Sequence, residues 1–206
     1  MKSLYANIMV FEQPPENTHE SLVQAMQSMD GVEFDLRLTA DGQVVIHHDH
    51  FVSIPNEMLD GRPKIVEEWD LADLESVGFC SFEKLMSDKD WLVPWQEHSK
   101  VACLEIKRCL PKIEKDPTKR MAKIMQLASE MVEEAGIHDQ AAVFYAFHKP
   151  MQKVAKLSGS NRPWSRLLPT VPRTGSHNSK RIRALPQFVS YSFNRLMKTQ
   201  QKAGSP

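Results

Sequence analysis

The 206-residue chain contains no apolar run near the ~20 residues that a membrane-spanning helix requires. It has no low-complexity segment and no excess of charge of either sign. Lys plus Arg and Asp plus Glu number 26 each, so composition gives no electrostatic reason to expect a nucleic acid or an anionic membrane as partner. Residues 149–183 are a local exception, rich in Lys and Arg and free of acidic residues, and such a stretch faces water or lies near something anionic. Cysteine is scarce. Cys80, Cys103 and Cys109 are odd in number and in no metal-site spacing, which fits reduced, buried thiols in a cytoplasmic protein. The first residues, "MKSLYANIMVFEQPPENT", lack a small-residue cleavage site, and Asn7, Glu12, Pro14 and Pro15 break the apolar stretch, against a secretory signal.

What is present reads as one globular domain over residues 1–206, with 41% hydrophobic and 25% charged residues. Leu22, Ala25, Met26 and Met29 recur at helical spacing behind Asn17 or Thr18 as cap, so a helix is expected there. Val32 to Leu38 alternates, Ala40-Asp41-Gly42 signals a turn, and Val44-Val45-Ile46 reads as a second, antiparallel strand. Residues 51–100 are irregular and insertion-like, with short helical pieces at Leu71–Val77 and Phe82–Met86. "VACLEI" (101–106) is an apolar run broken by its carboxylate, as in a strand buried on both faces. A long helix follows, begun by Asp116-Pro117 and stopped by Gly136. Strands at 141–147, 166–170 and 187–192 then alternate with helices at 149–157, after Ser179 and at 194–203. Such alternation means parallel strands with helical crossovers.

The chemistry concentrates in "VEFDLRLTADGQVVIHHDH", residues 32–50. Positions two apart on a strand face one way, so Glu33 and Asp35 share a side opposite Val32 and Phe34. Like charges held that close repel; a divalent cation is one relief, and a half-exposed polar face is the plainer reading. Glu105 strengthens the first reading, because an unpaired carboxylate inside an apolar strand is costly; Lys107, on the same face, is a candidate partner. Three carboxylates converging at one rim suit magnesium or calcium better than zinc. Of His47 and His48, one points into any site formed there, and such a histidine can move protons. With no accompanying Cys and no helical His spacing, the histidines carry only a weak zinc signal.

"PPENTHESLVQAM", "GVEFDLRLTADGQVVIHHD" and "CLEIK", in this order, resemble the glycerophosphodiester phosphodiesterases, with residues 15–49 matching almost without gaps. "KIVEEWDLADLESV" and "SFEKLM" resemble the family's intervening segment. The resemblance implies a TIM (β/α)8 barrel with Glu33 and Asp35 ending its second strand and the Thr39–Asp49 hairpin over the rim. It implies Glu105 as third metal ligand, Lys107 as phosphate-binding and catalytic residue, and His48 as catalytic histidine. Glu16, Asn17 and His148 would lie on the substrate side. The implied reaction is hydrolysis of a small glycerophosphodiester to an alcohol and glycerol 3-phosphate with one divalent cation, Mg2+ or Ca2+.

The match has two departures. Asn7 and Ile8 stand where the family has His-Arg, and Asn cannot exchange a proton as imidazole does. About six of the eight barrel strands can be counted, including "ANIMV" at 6–10, so the expected fold is an incomplete barrel. A truncated product, closure by homo-oligomerisation and a degenerate relative remain open. The alternative function is therefore a member that binds metal or phosphate without turnover. A lyase of the same fold is a further reading, against which stands the lack of a secretion signal and disulfides.

Overall fold

The structure is a computed structural model that describes residues 15–166 apart from 56–58, 60, 98–99 and 147–150. Thr18 starts α1 (His19–Ser28), its hydroxyl accepting from the Ser21 amide while the Ser21 hydroxyl accepts from the Thr18 amide. β1 (Gly31–Leu38) and β2 (Val44–Ile46) form the expected antiparallel hairpin, with Gly42 at φ 82° closing its turn. A 3-10 turn (Val66–Glu68), α2 (Leu71–Ser76), β3 (Cys80–Ser81), α3 (Phe82–Met86) and α4 (Lys89–Glu97) lead to β4 (Val101–Ile106). Then come α5 (Thr118–Glu134), β5 (Ala142–Ala146), α6 (Met151–Ser158) and β6 (Trp164–Arg166).

These strands make one sheet in the order β3-β2-β1-β4-β5-β6. β1, β4, β5 and β6 run parallel, whereas β2 is antiparallel to both neighbours. Four of the six barrel strands counted in the sequence are thus present; those expected at 6–10 and 187–192 lie outside the described residues, as do the helices expected after Ser179 and at 194–203. The strand expected at 166–170 begins earlier, at Trp164, where it pairs with Phe144 directly after Pro163.

Strand periodicity divides the sheet into two unlike faces. Val32, Phe34, Leu36 and Leu38 of β1, Ala102, Leu104 and Ile106 of β4, and Ala142, Phe144 and Ala146 of β5 all enter the main core. α1, α3, α4, α5 and α6 cover that face with Met26, Phe82, Trp91, Met125 and Val154 among others. The other face carries Glu33, Asp35, Arg37, Glu105 and Tyr145, so the carboxylate in "VACLEI" marks the polar side of a strand whose opposite side is packed by helices.

Residues 51–100 serve two cores. Val52, Leu59, Val66, Trp69 and Leu74 join Val45 in a small cluster under the hairpin, whereas Phe82, Leu85, Met86, Trp91 and Trp95 belong to the main core. α4 is a helix the sequence pattern conceals, because Pro94 lies inside it. Trp91 and Trp95, both fully buried and edge to face at 5.4 Å, anchor it on either side of that proline, and Trp95 Nε1 donates to Ala141 O at 3.0 Å. Tertiary packing here outweighs local propensity. α5 ends in a Schellman motif, with Ile137 N donating to Val132 O, Gly136 N donating to Glu133 O, and Gly136 at φ 67°.

Leu104 has no exposed surface at the centre of this core. Truncation by Leu104→Ala is expected to lower unfolding free energy by about 2–5 kcal/mol, read as a lower urea midpoint with unchanged slope.

Candidate active site

Parallel pairing sets Asp35 opposite Glu105 and Glu105 opposite Tyr145, which makes one polar row across three strands. Glu33 lies one step earlier on the same face of β1. The carboxylates of Glu33, Asp35 and Glu105 each offer an oxygen, and these oxygens all lie within 4.8 Å of one another. Lys107 follows β4 and keeps its register by donating its amide to Leu36 O at 3.0 Å. Its Nζ consequently meets Glu105 Oε1 at 2.7 Å and Asp35 Oδ1 at 2.9 Å.

Two of the acids, Asp35 and Glu33, have a further support. Asn17 Nδ2 donates to Asp35 Oδ2 at 3.1 Å, and the Asp35 amide donates back to Asn17 Oδ1 at 3.3 Å. Asn17 sits at φ 59°, a left-handed conformation that Asn tolerates better than most residues. The Tyr145 hydroxyl donates to Glu33 Oε1. Asp35 Oδ1 is buried and makes no well-aligned hydrogen bond, so its contact with the Lys107 ammonium is ionic.

Burial pushes the Glu33 carboxyl up to about 7; the Tyr145 hydrogen bond opposes that rise, and the charges of Asp35 and Glu105 add to it. Because the side chain keeps an exposed edge, water screens part of this effect. Glu105 is raised by burial as well, against the pull of Lys107. Burial and the adjacent Glu33 carboxylate drive Tyr145 far upward, which keeps its hydroxyl protonated as a donor.

The hairpin brings histidines to the same place. Arg120 Nη2 donates to the carbonyls of Leu38 and Thr39, both at 2.7 Å, and holds the start of the turn. His47 N pairs with Asp35 O at 3.0 Å, but its ring turns away to bond Phe51 O at 2.9 Å and to pack on Phe79. His48 is exposed, with Nδ1 on Asp49 Oδ1 at 2.7 Å, and this bond holds Asp49 below the usual carboxylate range. Arg37, His48, Asp49, His50, Glu105, Lys107 and Arg108 line a cleft of about 290 Å³ that joins Glu105 and Lys107 to the hairpin loop.

Of the residues singled out in the sequence, Glu33, Asp35, Glu105, Lys107 and Asn17 meet in one network, and His48 lines the same cleft as Glu105 and Lys107. Glu16 is exposed and outside that network among the described residues. His148 and Asn7 lie outside the described residues. Sequence reasoning missed Tyr145, Arg37 and Glu67. Arg37 carried a signal, being the third charged position at spacing two after Glu33 and Asp35. Tyr145 and Glu67 carried none, because only the strand pairing and the 3-10 turn bring them in.

Glu33 and Asp35 thus lie within β1, short of its end at Leu38 but on the stretch paired parallel to β4, whereas Glu105 and Lys107 stand at the end of β4. On a sheet packed by helices this is a candidate site of the (β/α)-barrel type. The model of the glycerophosphoryl diester phosphodiesterase family matches residues 10–156, and the chain belongs to that family. No curated protein matches it. Among solved structures, it is similar to a glycerophosphodiester phosphodiesterase from Thermotoga maritima, at 18% identity and a TM-score of 0.51 over 82% of this chain and 62% of that one. An Oleispira antarctica phosphodiesterase in complex with the product sn-glycerol-3-phosphate matches at 21% identity and a TM-score of 0.54, over 84% of this chain and 67% of the other. A glycerophosphodiester phosphodiesterase from Parabacteroides distasonis matches at 17% and 0.54, over 95% and 76%. The chain spans 62% of the Thermotoga protein's length. These likenesses give the fold, an α/β TIM-type barrel of which the described residues form an incomplete arc.

The raised Glu33 carboxyl makes a stability prediction. Between about 4.5 and about 7 the folded chain keeps a Glu33 proton that the unfolded chain has released, so this group's contribution to stability falls as pH rises through that window and is level above it. In chelator, Glu33→Gln is expected to remove that slope from the pH dependence of the melting temperature.

Proposed function

We propose that the chain is a divalent-metal-dependent phosphoric diester hydrolase that cleaves glycerophosphodiesters to an alcohol and glycerol 3-phosphate. The observation that carries this reading is the meeting of Glu33, Asp35 and Glu105 within 4.8 Å, the last two bonded to Lys107, beside a cleft that Glu105 and Lys107 line together with His48 and Asp49. Family membership and the glycerol-3-phosphate bound by the Oleispira protein support the substrate class.

The donor set fits a hard cation: every donor is a carboxylate oxygen, the three lie within 4.8 Å, and buried Asp35 Oδ1 lacks a hydrogen bond of its own. Glu33, Asp35 and Glu105 would hold Mg2+ or Ca2+, which when bound supplies Lewis-acid polarisation of the phosphoryl group. Lys107 offsets charge that develops on the phosphoryl oxygens. Its Nζ lies 2.7 Å from Glu105 Oε1 and 2.9 Å from Asp35 Oδ1, and the residue lines the cleft in which a phosphoryl group would sit. With Nδ1 held by Asp49, His48 has Nε2 free to exchange a proton with water or the leaving alcohol. In the balanced reaction, a water oxygen bonds phosphorus, the bond from phosphorus to the alcohol oxygen breaks, and the alcohol departs with a proton. Asn17 keeps Asp35 oriented, and the family resemblance adds Glu16 and His148 to the substrate-side set. The free thiols, with Cys80 and Cys109 buried, suit a reducing compartment such as the cytoplasm.

The direct test is release of glycerol 3-phosphate from glycerophosphocholine by the purified chain with magnesium, with calcium and with chelator. Metal-dependent release is expected, reduced about 10²- to 10⁴-fold in His48→Ala; no release from a folded, metal-binding sample would overturn the catalytic reading and leave a binding protein. Removing the donor that orients Glu33, by Tyr145→Phe, is expected to weaken metal affinity about 10- to 100-fold in a calorimetric titration.

A further inference from the structure

Arg37 is the third charged residue on the polar face of β1, and only 3% of its side chain is exposed. Its Nη1 donates to Glu67 Oε1 at 2.7 Å, and the Glu67 side chain is just as buried. The same guanidinium reaches His48 O through Nε at 3.2 Å and Nη2 at 2.6 Å. Nη1 also approaches His50 Nδ1 at 3.2 Å and Arg108 O at 3.4 Å. One side chain therefore joins β1, the loop after the hairpin, the 3-10 turn and the segment after Lys107.

Stability does not explain this arrangement. A buried ion pair roughly breaks even against apolar residues of the same volume, and here the second Glu67 oxygen, Oε2, is buried without a hydrogen-bond partner. What the pair supplies is geometry, since the guanidinium is a rigid planar fork that fixes the directions of its acceptors. His48 needs such support. Its ring is 64% exposed and its side-chain partner, Asp49, is 62% exposed, so beside the His47 amide bond to Asp35 O one residue earlier, the bonds from Arg37 to its carbonyl tie this residue to the sheet.

We infer that the Arg37–Glu67 pair is a positioning device that sets the His48 backbone against the Glu105–Lys107 end of β4, so that histidine and lysine address one phosphoryl group. This rests on the phosphodiesterase reading, in which His48 exchanges the proton. A misplacement of about 1 Å at such a group costs on the order of 10²-fold in rate.

Two variants test the inference. Arg37→Lys keeps a charge beside Glu67 but loses the fork, and the double variant Arg37→Met with Glu67→Leu replaces the pair by apolar side chains that preserve packing. Thermal melting establishes that they fold; kcat and KM for glycerophosphocholine with Mg2+ and the imidazole Cε1–H resonance of His48 are then measured in each. The expected result is a fold retained in at least one variant, kcat lower by about 10²-fold with KM changed by less than about 3-fold, and a His48 resonance that broadens or splits. Wild-type kcat in a folded variant overturns the inference, and so does a His48 resonance left unchanged in position and width. If the wild-type chain itself shows no turnover, the phosphodiesterase reading is what fails, and the His48 resonance decides the positioning role by itself.

Discussion

The Lys107 ammonium between Asp35 and Glu105 is the interaction on which the rim of this sheet depends. Three carboxylates held within 4.8 Å repel, and two of them, Asp35 and Glu105, are almost fully buried. A single cation in bonding range of both offsets the repulsion, while Asn17 and Tyr145 each satisfy one more oxygen. The register of β1 against β4 makes this workable. A shift of one residue would turn Glu105 into the core and bring Leu104 to the cleft. The polar cluster and the apolar core are thus two faces of the same strand pairing.

The hairpin beside this cluster is held at both ends by arginines from the sheet and from α5. Arg120 takes the carbonyls of Leu38 and Thr39 where the hairpin leaves β1, and Arg37 takes the carbonyl of His48 where it ends. Underneath, Val45 packs with Val66, Trp69 and Leu74, so the loop rests on its own small apolar cluster. A loop tied at its backbone and supported from below can carry an exposed histidine at a defined distance from the acids, as preorganised sites require.

Local signals were legible where short-range chemistry decides. The cap of α1 falls on Thr18, one of the two candidates with Asn17, the turn at Asp41-Gly42 closes the hairpin, and Gly136 stops α5. They failed where packing decides. Pro94 marks a break in any local reading, yet two buried tryptophans hold α4 together around it, and β6 starts at Trp164 because its partner strand is there to pair.

The same division runs through the site. Glu33, Asp35, Glu105 and Lys107 were readable from alternation, because side chains two apart on a strand must share a face. That they share one face of one sheet, with Tyr145 beside them and Glu67 beneath the hairpin, was settled only by strand order and register, contacts that span from 30 to 112 positions of sequence. Periodicity is a property of neighbours in the chain and survives in the sequence; the meeting of distant groups is a property of closed packing, and no local pattern records it.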